Sequence, residues 1–200
     1  MILCVDPGYA NYGYIVVNKD QTIIEANVIK TQKTKIKTTR VSDDTAYRIA
    51  LIVVGLAEVI NLYKIKGVLG EMPSSGSKSA SAMRAMAIAT AVSVSVFTLF
   101  RLPTEWTTPA LVKQALTGSK TATKQEMMGA ACALHNWDIR SKDIHAKDSK
   151  KLIRQDLSYW PLGKPMGAGN FEHVADAIGV FEALKTGNLT CMYTNTRNIL

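Results

Sequence analysis

Cysteine is scarce in this sequence, and the three present, Cys4, Cys132 and Cys191, stand far apart. An odd number without a Cys-x-x-Cys pair excludes a disulfide framework and a zinc site, and reads as reduced thiols in a cytosolic protein. Acids are short relative to bases: 16 Asp and Glu against 24 Lys and Arg, a net charge of +8. That surplus suits a polyanionic partner, or simply a solvated basic surface. A long unbroken apolar run is also missing. The longest stretch, residues 82–100, is interrupted by Arg84, Thr90, Ser93, Ser95 and Thr98. It is too polar for a membrane span and reads as a buried helix of a soluble protein with no membrane partner. The opening segment is too short for a signal peptide and lacks a basic leader. No internal repeat is present. What the chain does have is 47% hydrophobic residues over 200 positions, enough for one core-forming domain spanning 1–200 and against global disorder.

Residues 2–7 and 13–18 are β-branched and apolar, 21–30 reads as a third strand, and short turns separate them, which predicts a three-stranded antiparallel meander. The stretch 30–40 carries Lys30, Lys33, Lys35, Lys37 and Arg40 without an acid, and reads as a loop or exposed arm. Apolar groups at helical spacing predict a helix over 42–65. A short strand, 66–73, ends near Glu71, and a Ser/Gly loop (74–81) leads into a small-residue helix, 80–99. A strand at 102–108 precedes a helix opened by Pro109 at its favoured first position. A polar loop (117–124) and a helix (124–137) follow. Residues 138–170 read as an irregular basic insert. Residues 171–187 read as the last helix, closed by Gly187, with a loose tail from 188. A meander followed by alternating helices and strands predicts an α/β fold, a mixed sheet with helices on its faces.

Asp6 stands at the end of the apolar run "ILCVD". A carboxylate near a core needs hydrogen bonds, a cation or a metal to compensate it, although Asp-Pro-Gly is also a common turn whose acid bonds local backbone. Glu71 ends the fourth strand. His173 and Asp176, three apart on the last helix, project from one face, as an ordinary surface pair also would. If the first and fourth strands are neighbours and the last helix crosses their ends, these groups converge. Converging carboxylates repel and need protons or cations. Oxygen donors with few histidines suit magnesium or manganese rather than zinc, and a pair of such ions can activate a water and stabilise the leaving oxygen of a phosphodiester.

"ILCVDPGYANYGYIVV", "GVLGEMP" followed by a Ser/Gly/Ala-rich helix, "TPALVKQALTGSKTATK" and "HVADAIGVFEAL" occur in an order that resembles the RuvC-type Holliday junction resolvases of the RNase H-like (retroviral integrase) superfamily. The resemblance implies an RNase H-like fold, with a five-stranded mixed sheet of three antiparallel strands and then parallel additions, flanked by helices. It implies a homodimer acting on branched DNA, chiefly four-way junctions, in the cytoplasm or another DNA-containing compartment of a cell or organelle. Symmetric metal-dependent nicks would leave 5′-phosphate and 3′-hydroxyl ends. Asp6, Glu71, His173 and Asp176 match the family's ligands for two Mg2+ ions, or Mn2+, with Asp6 bridging both. Lys113, Lys120 and Lys124 fall where the family carries lysines near the scissile phosphate, with Lys113 and Lys120 as the catalytic pair. Lys33, Lys35, Lys37, Arg40, Lys78, Lys124, Lys147, Lys150 and Lys151 are the expected DNA-backbone contacts, with Arg140, Lys142 and Arg154 in the same basic cluster. In the resemblance the Ala/Met-rich helix after Glu71 lies near the dimer interface.

Two departures stand out. No aromatic follows Glu71, where the chain reads Met72-Pro73-Ser74-Ser75-Gly76. The segment between Leu134 and Phe171 is longer than in the family, with Tyr159 and Trp160 either stacking on bases or packing the insert onto the domain. Both departures fit a relaxed nuclease for forks or flaps. Further alternatives are a module that binds junctions without cutting, and a phosphate-binding protein of the actin and sugar-kinase kind, whose Asp-x-Gly loop "DPGYANYG" loosely matches.

Overall fold

The computed structural model describes residues 1–72, 79–145 and 152–193. Lys78, Lys147, Lys150 and Lys151 lie outside them, as does most of the Ser/Gly loop. The expected meander forms from β1 (Ile2–Asp6), β2 (Asn11–Val17) and β3 (Ile23–Lys30). Then come α1 (Val41–Leu62), β4 (Gly67–Glu71), α2 (Ala80–Leu99), β5 (Thr104–Thr107), α3 (Pro109–Thr117) and α4 (Lys124–His135). The strands make one sheet in the order β3-β2-β1-β4-β5. β1 runs antiparallel to β2 and parallel to β4, and β4 runs parallel to β5. This is the five-stranded mixed sheet the resemblance implies.

Strand alternation divides the core in two. Ile2 and Cys4 of β1 and Leu69 of β4 point to one face, against α5 (Ala168–Leu184), where Phe171, Val174, Ile178 and Phe181 are buried. Leu3, Val5 and Val68 point to the other face, against Ile52 and Leu56 of α1 and Val96 and Phe97 of α2. Parity therefore assigns Asp6 and Glu71, two residues beyond Cys4 and Leu69, to the α5 side.

Three expectations change. First, residues 138–170 are not irregular throughout. β6 (Asp138–His145) and β7 (Leu152–Trp160) pair antiparallel, and the two-residue β8 (Met166–Gly167) joins β7, making a second sheet. Tyr159 packs the insert onto the domain: it is buried and stacks on Phe171, with centroids 4.5 Å apart and planes 8° apart. Trp160 lies beneath the Arg140 guanidinium at 3.9 Å. Second, the tail is not wholly loose, because Asn188–Tyr193 forms α6. Its first turn is held by Glu105, whose Oε1 accepts from the Leu189 N–H at 3.3 Å. Third, α2 is not a buried helix. Only Ala89, Ser93, Val96 and Phe97 are buried, while Met83 and Val94 are exposed. By length and composition α1 and α2 are each apolar enough to cross a membrane, yet each packs one face against the sheet.

The basic arm between β3 and α1 is tied down at its roots. Thr31 is buried, its N–H donates to the Ala10 carbonyl (2.9 Å), and its hydroxyl donates to the Tyr9 carbonyl (2.6 Å). The Thr34 N–H donates to Asp44 Oδ1 at 2.7 Å.

Candidate active site

The parallel register pairs Val5 with Gly70, so Asp6 and Glu71 come next, side by side, at the C-terminal ends of β1 and β4. α5 crosses the same end and brings His173 and Asp176. Its close approach depends on Gly13 of β2, the register partner of Asp6. A Cβ at Gly13 would lie 2.6 Å from the His173 carbonyl carbon and 2.7 Å from the His173 Cβ. The four groups line one cavity of about 290 Å³, together with Pro7, Gly8, Met86 and Pro109. The fold thus brings these four residues, distant in sequence, to one cavity.

Electrostatics shows what the gathering costs. Burial, then the charges of Asp6 and Asp176, push Glu71 up to about 8, with Lys113 partly offsetting them. Burial, then Asp6 and Glu172, push Asp176 up to about 7, against His173 and Lys124. His173 Nδ1 and Asp6 Oδ2 are 2.7 Å apart. Burial opposes protonation of that ring, but the hydrogen bond to Asp6 and the charges of Asp6, Glu172 and Asp176 outweigh it and raise the imidazole above its usual range. Three carboxylates and one imidazole, their repulsion only partly offset by Lys113, Lys124 and His173, are donors of the kind an oxygen-rich dication site uses. Among the described residues no group of three or more His, Cys, Asp or Glu side chains is placed so that it could hold a metal ion as it stands. By donor chemistry alone, the acids and His173 fit a divalent cation of the kind the resemblance implies.

The lysines divide. Lys113 on α3 acts on Glu71, and Lys124 at the start of α4 pairs with Glu172 and feels Asp176 and Asp6. Lys120 is exposed on the loop between α3 and α4. Lys33, Lys35 and Lys37 are exposed along the arm. Arg40, also exposed, pairs with Asp43 at 2.8 Å. Sequence reasoning missed two residues. Glu172 stands four residues before Asp176 on the same helical face, and that spacing was available as a signal. Gly13 carries no chemical signal, and only the packing reveals its role.

A mixed sheet in this order, with acids at the tips of its first and fourth strands and more donors from the last helix, is the RNase H-like arrangement. Within that class, the family crossover junction endodeoxyribonuclease RuvC matches residues 2–152, and the chain belongs to this family. Two solved structures share the fold. Thermus thermophilus RuvC in complex with a Holliday junction substrate superimposes with a TM-score of 0.57 at 16% identity, covering 92% of this chain and 96% of that one. Thermus thermophilus RuvC in a second structure superimposes with a TM-score of 0.55 at 17% identity, with the same coverage. No curated protein sequence matches the chain.

Proposed function

We propose that this protein is a divalent-metal-dependent endonuclease that resolves four-way DNA junctions by paired, symmetric nicks, leaving 5′-phosphate and 3′-hydroxyl ends. The observation that carries the reading is the convergence of Asp6, Glu71, His173 and Asp176 on one cavity. Within an RNase H-like sheet those donors have a use only if cations join them. Mg2+, or Mn2+, held by the four groups would supply positive charge at the scissile phosphate and an activated water.

The chain's own residues do the rest. Asp6 accepts a hydrogen bond from His173 Nδ1 and fixes the ring, so that a metal would bind Nε2 by displacing its proton. Lys113 and Lys124 present ammonium groups beside the acids, where a phosphate oxygen gains negative charge as the bond breaks. Lys33, Lys35 and Lys37 hold the backbone of a duplex arm without reading its bases. A homodimer is supported by the unpartnered outer face of α2 and the exposed apolar groups of α1, an area of the kind that marks interaction sites. Action on DNA places the protein in the cytoplasm or another DNA-containing compartment.

The test uses a labelled four-way junction, a fork, a flap, a duplex and a single strand, each with magnesium or EDTA. Paired nicks on the junction that vanish in EDTA are expected. Asp6→Asn should abolish cutting while binding persists, because the phosphate contacts remain. Equal cutting of forks and flaps would assign the relaxed activity. Binding without cutting under every metal would assign a non-catalytic module, and ATP hydrolysis without DNA cleavage a kinase-like one.

A further inference from the structure

Beside the four donors stands a carboxylate that makes their repulsion worse. Glu172 precedes His173 on α5 and lies one turn before Asp176. After burial and Asp6, its charge is what raises Asp176. Its side chain is only 22% exposed, and it is not among the residues that line the acid cavity. A further acid beside crowded acids is unfavourable by itself. What it gains is Lys124, whose Nζ pairs with Glu172 Oε1. As a stabilising device that pair is weak. The lysine side chain is 74% exposed, and ion pairs at such exposure contribute little once the entropy of holding a long side chain is counted. The pair decides instead where the ammonium stands.

Both ends of the pair are firmly mounted. Lys124 is the first residue of α4, and a capping box fixes the backbone there. Thr123 Oγ1 accepts the Glu126 N–H at 3.3 Å, and Glu126 Oε2 accepts the Thr123 N–H at 2.7 Å. Glu172 shares α5 with His173 and Asp176. The four-carbon stem of the lysine is what would otherwise move, and Glu172 ties its tip to the helix that carries two of the four donors. The charges of Asp176 and Asp6 also reach that tip, so it lies on the acid side. An ammonium has three N–H donors; one engaged by Glu172 leaves two for a phosphate. We propose that Glu172 is a positioning residue, which holds the Lys124 ammonium in one place beside the acid cavity before DNA arrives and while the phosphodiester breaks. The inference rests on the nuclease reading above and adds to it a residue that acts through the lysine.

Two measurements test it, and the first does not depend on cutting. DNA-free protein is treated with sulfo-NHS-acetate, which acetylates accessible amines, and the products are read by peptide mass spectrometry. Lys124 should react more slowly than the exposed Lys120 in the wild type, and as fast as Lys120 in Glu172→Gln. Equal Lys124 rates in the two proteins would overturn the positioning role. The second is a double-mutant cycle in single-turnover cleavage of a four-way junction, with protein in excess. Glu172→Gln should lower the rate about tenfold to thirtyfold, the scale of the rotamer freedom that a released lysine regains. Junction affinity in EDTA should not weaken. In the Lys124→Met background the same substitution should have no further effect on the rate. An equal loss in both backgrounds would assign Glu172 to the metal site or to folding and overturn the positioning role. If Lys124→Met cuts too slowly to time, the acetylation result decides. A wild-type protein that cuts no junction under any metal, with Lys124 still protected, would overturn the nuclease reading and not the tie between the two residues.

Discussion

Glu71 and Asp176 are held where a carboxylate is unwelcome unless a cation accompanies it. Burial and neighbouring acids, Asp6 and Asp176 for Glu71 and Asp6 and Glu172 for Asp176, raise both far above the usual carboxylate range. Removing one charge should therefore stabilise the metal-free protein while destroying its use. Glu71→Gln is expected to raise stability in EDTA by about 1.4 kcal/mol or more, a tenfold change in the folding equilibrium. It should also lose most of the stabilisation that magnesium gives the wild type, and cut no junction. Differential scanning calorimetry with and without magnesium reads the first two effects. Gly13→Ala tests the site from its other side. The new Cβ would collide with the backbone of His173, and overpacking of this kind costs typically 1–3 kcal/mol. Here the strain falls on the helix that carries two donors, so cleavage should fall further than the lost stability accounts for. Asp6, Glu71, His173 and Asp176 were legible in the sequence because each has a chemical identity and a place at the end of an element. Gly13 was not, because its function is the absence of a side chain beside a helix 160 residues away in sequence. Glu172 lay between, visible by helical spacing but meaningless until Lys124 is seen opposite it.

β1 to β5 were readable as short apolar or β-branched runs between turns, with β1, β2 and β4 buried on both faces, and α1 to α5 by helical spacing and by start and stop signals. The hairpin of β6 and β7 was not. "DIRSKDIH" and "LIRQDLSYW" mix charges with scattered apolar residues, and their order is imposed by cross-strand pairing and by one buried ring. Tyr159 on Phe171 is that anchor, and Phe171 belongs to the helix that bears His173 and Asp176. Tyr159→Ala should cost about 3–5 kcal/mol, the range for deleting a large buried aromatic, and increase protease cutting between residues 138 and 160 before the rest of the domain unfolds. The same region contains a pH-sensitive element. His135 ends α4, stacks on Trp137 at 4.9 Å, and has a buried Nε2 with no hydrogen-bond partner among the described residues. Burial first, with Lys185 adding and Glu182 opposing, lowers its pKa below the ordinary 6.5. The unfolded chain then binds this proton more readily than the folded one. Its stability contribution is thus present above pH 6.5 and lost as pH falls through the folded value. Glu71, Asp176 and His173 take up protons in the folded state over the same range and work in the opposite sense, so the difference between two proteins reads His135: from about pH 7.5 down to about 5 the denaturant midpoint of His135→Leu should rise more than that of the wild type.

At the scale of the whole molecule, the net charge of +8 and the exposed arm predict junction binding that weakens steeply with salt. A log–log plot of affinity against salt should be linear, its slope falling by about one for each phosphate-contacting lysine removed from Lys33, Lys35 and Lys37. Charge does not explain the outer face of the α1–α2 layer. Val54 and Leu62 of α1 and Met83, Val94 and Leu99 of α2 are exposed at 36% or more, and Ala87 and Ala91 complete an unpartnered stripe along α2. The sequence suggested a buried helix here because composition reports only that apolar residues are present, not whether their partner lies in the same chain. If the stripe joins two copies, Val94→Asp should give a folded monomer by sedimentation, with the acid site intact, because the α2 residue that lines that cavity is Met86 rather than Val94. The consequence for chemistry is specific. On a plasmid with an extruded cruciform, two coupled cuts across one junction yield linear DNA. A lone cut relaxes the supercoiling, the cruciform is reabsorbed, and the circle stays nicked. The wild type is expected to give mainly linear product, and the monomeric variant mainly nicked circles at a comparable rate of first cutting. Linear product from a protein shown to be monomeric would mean that two active sites need not be joined, and the stripe would then have to serve a partner other than a second copy.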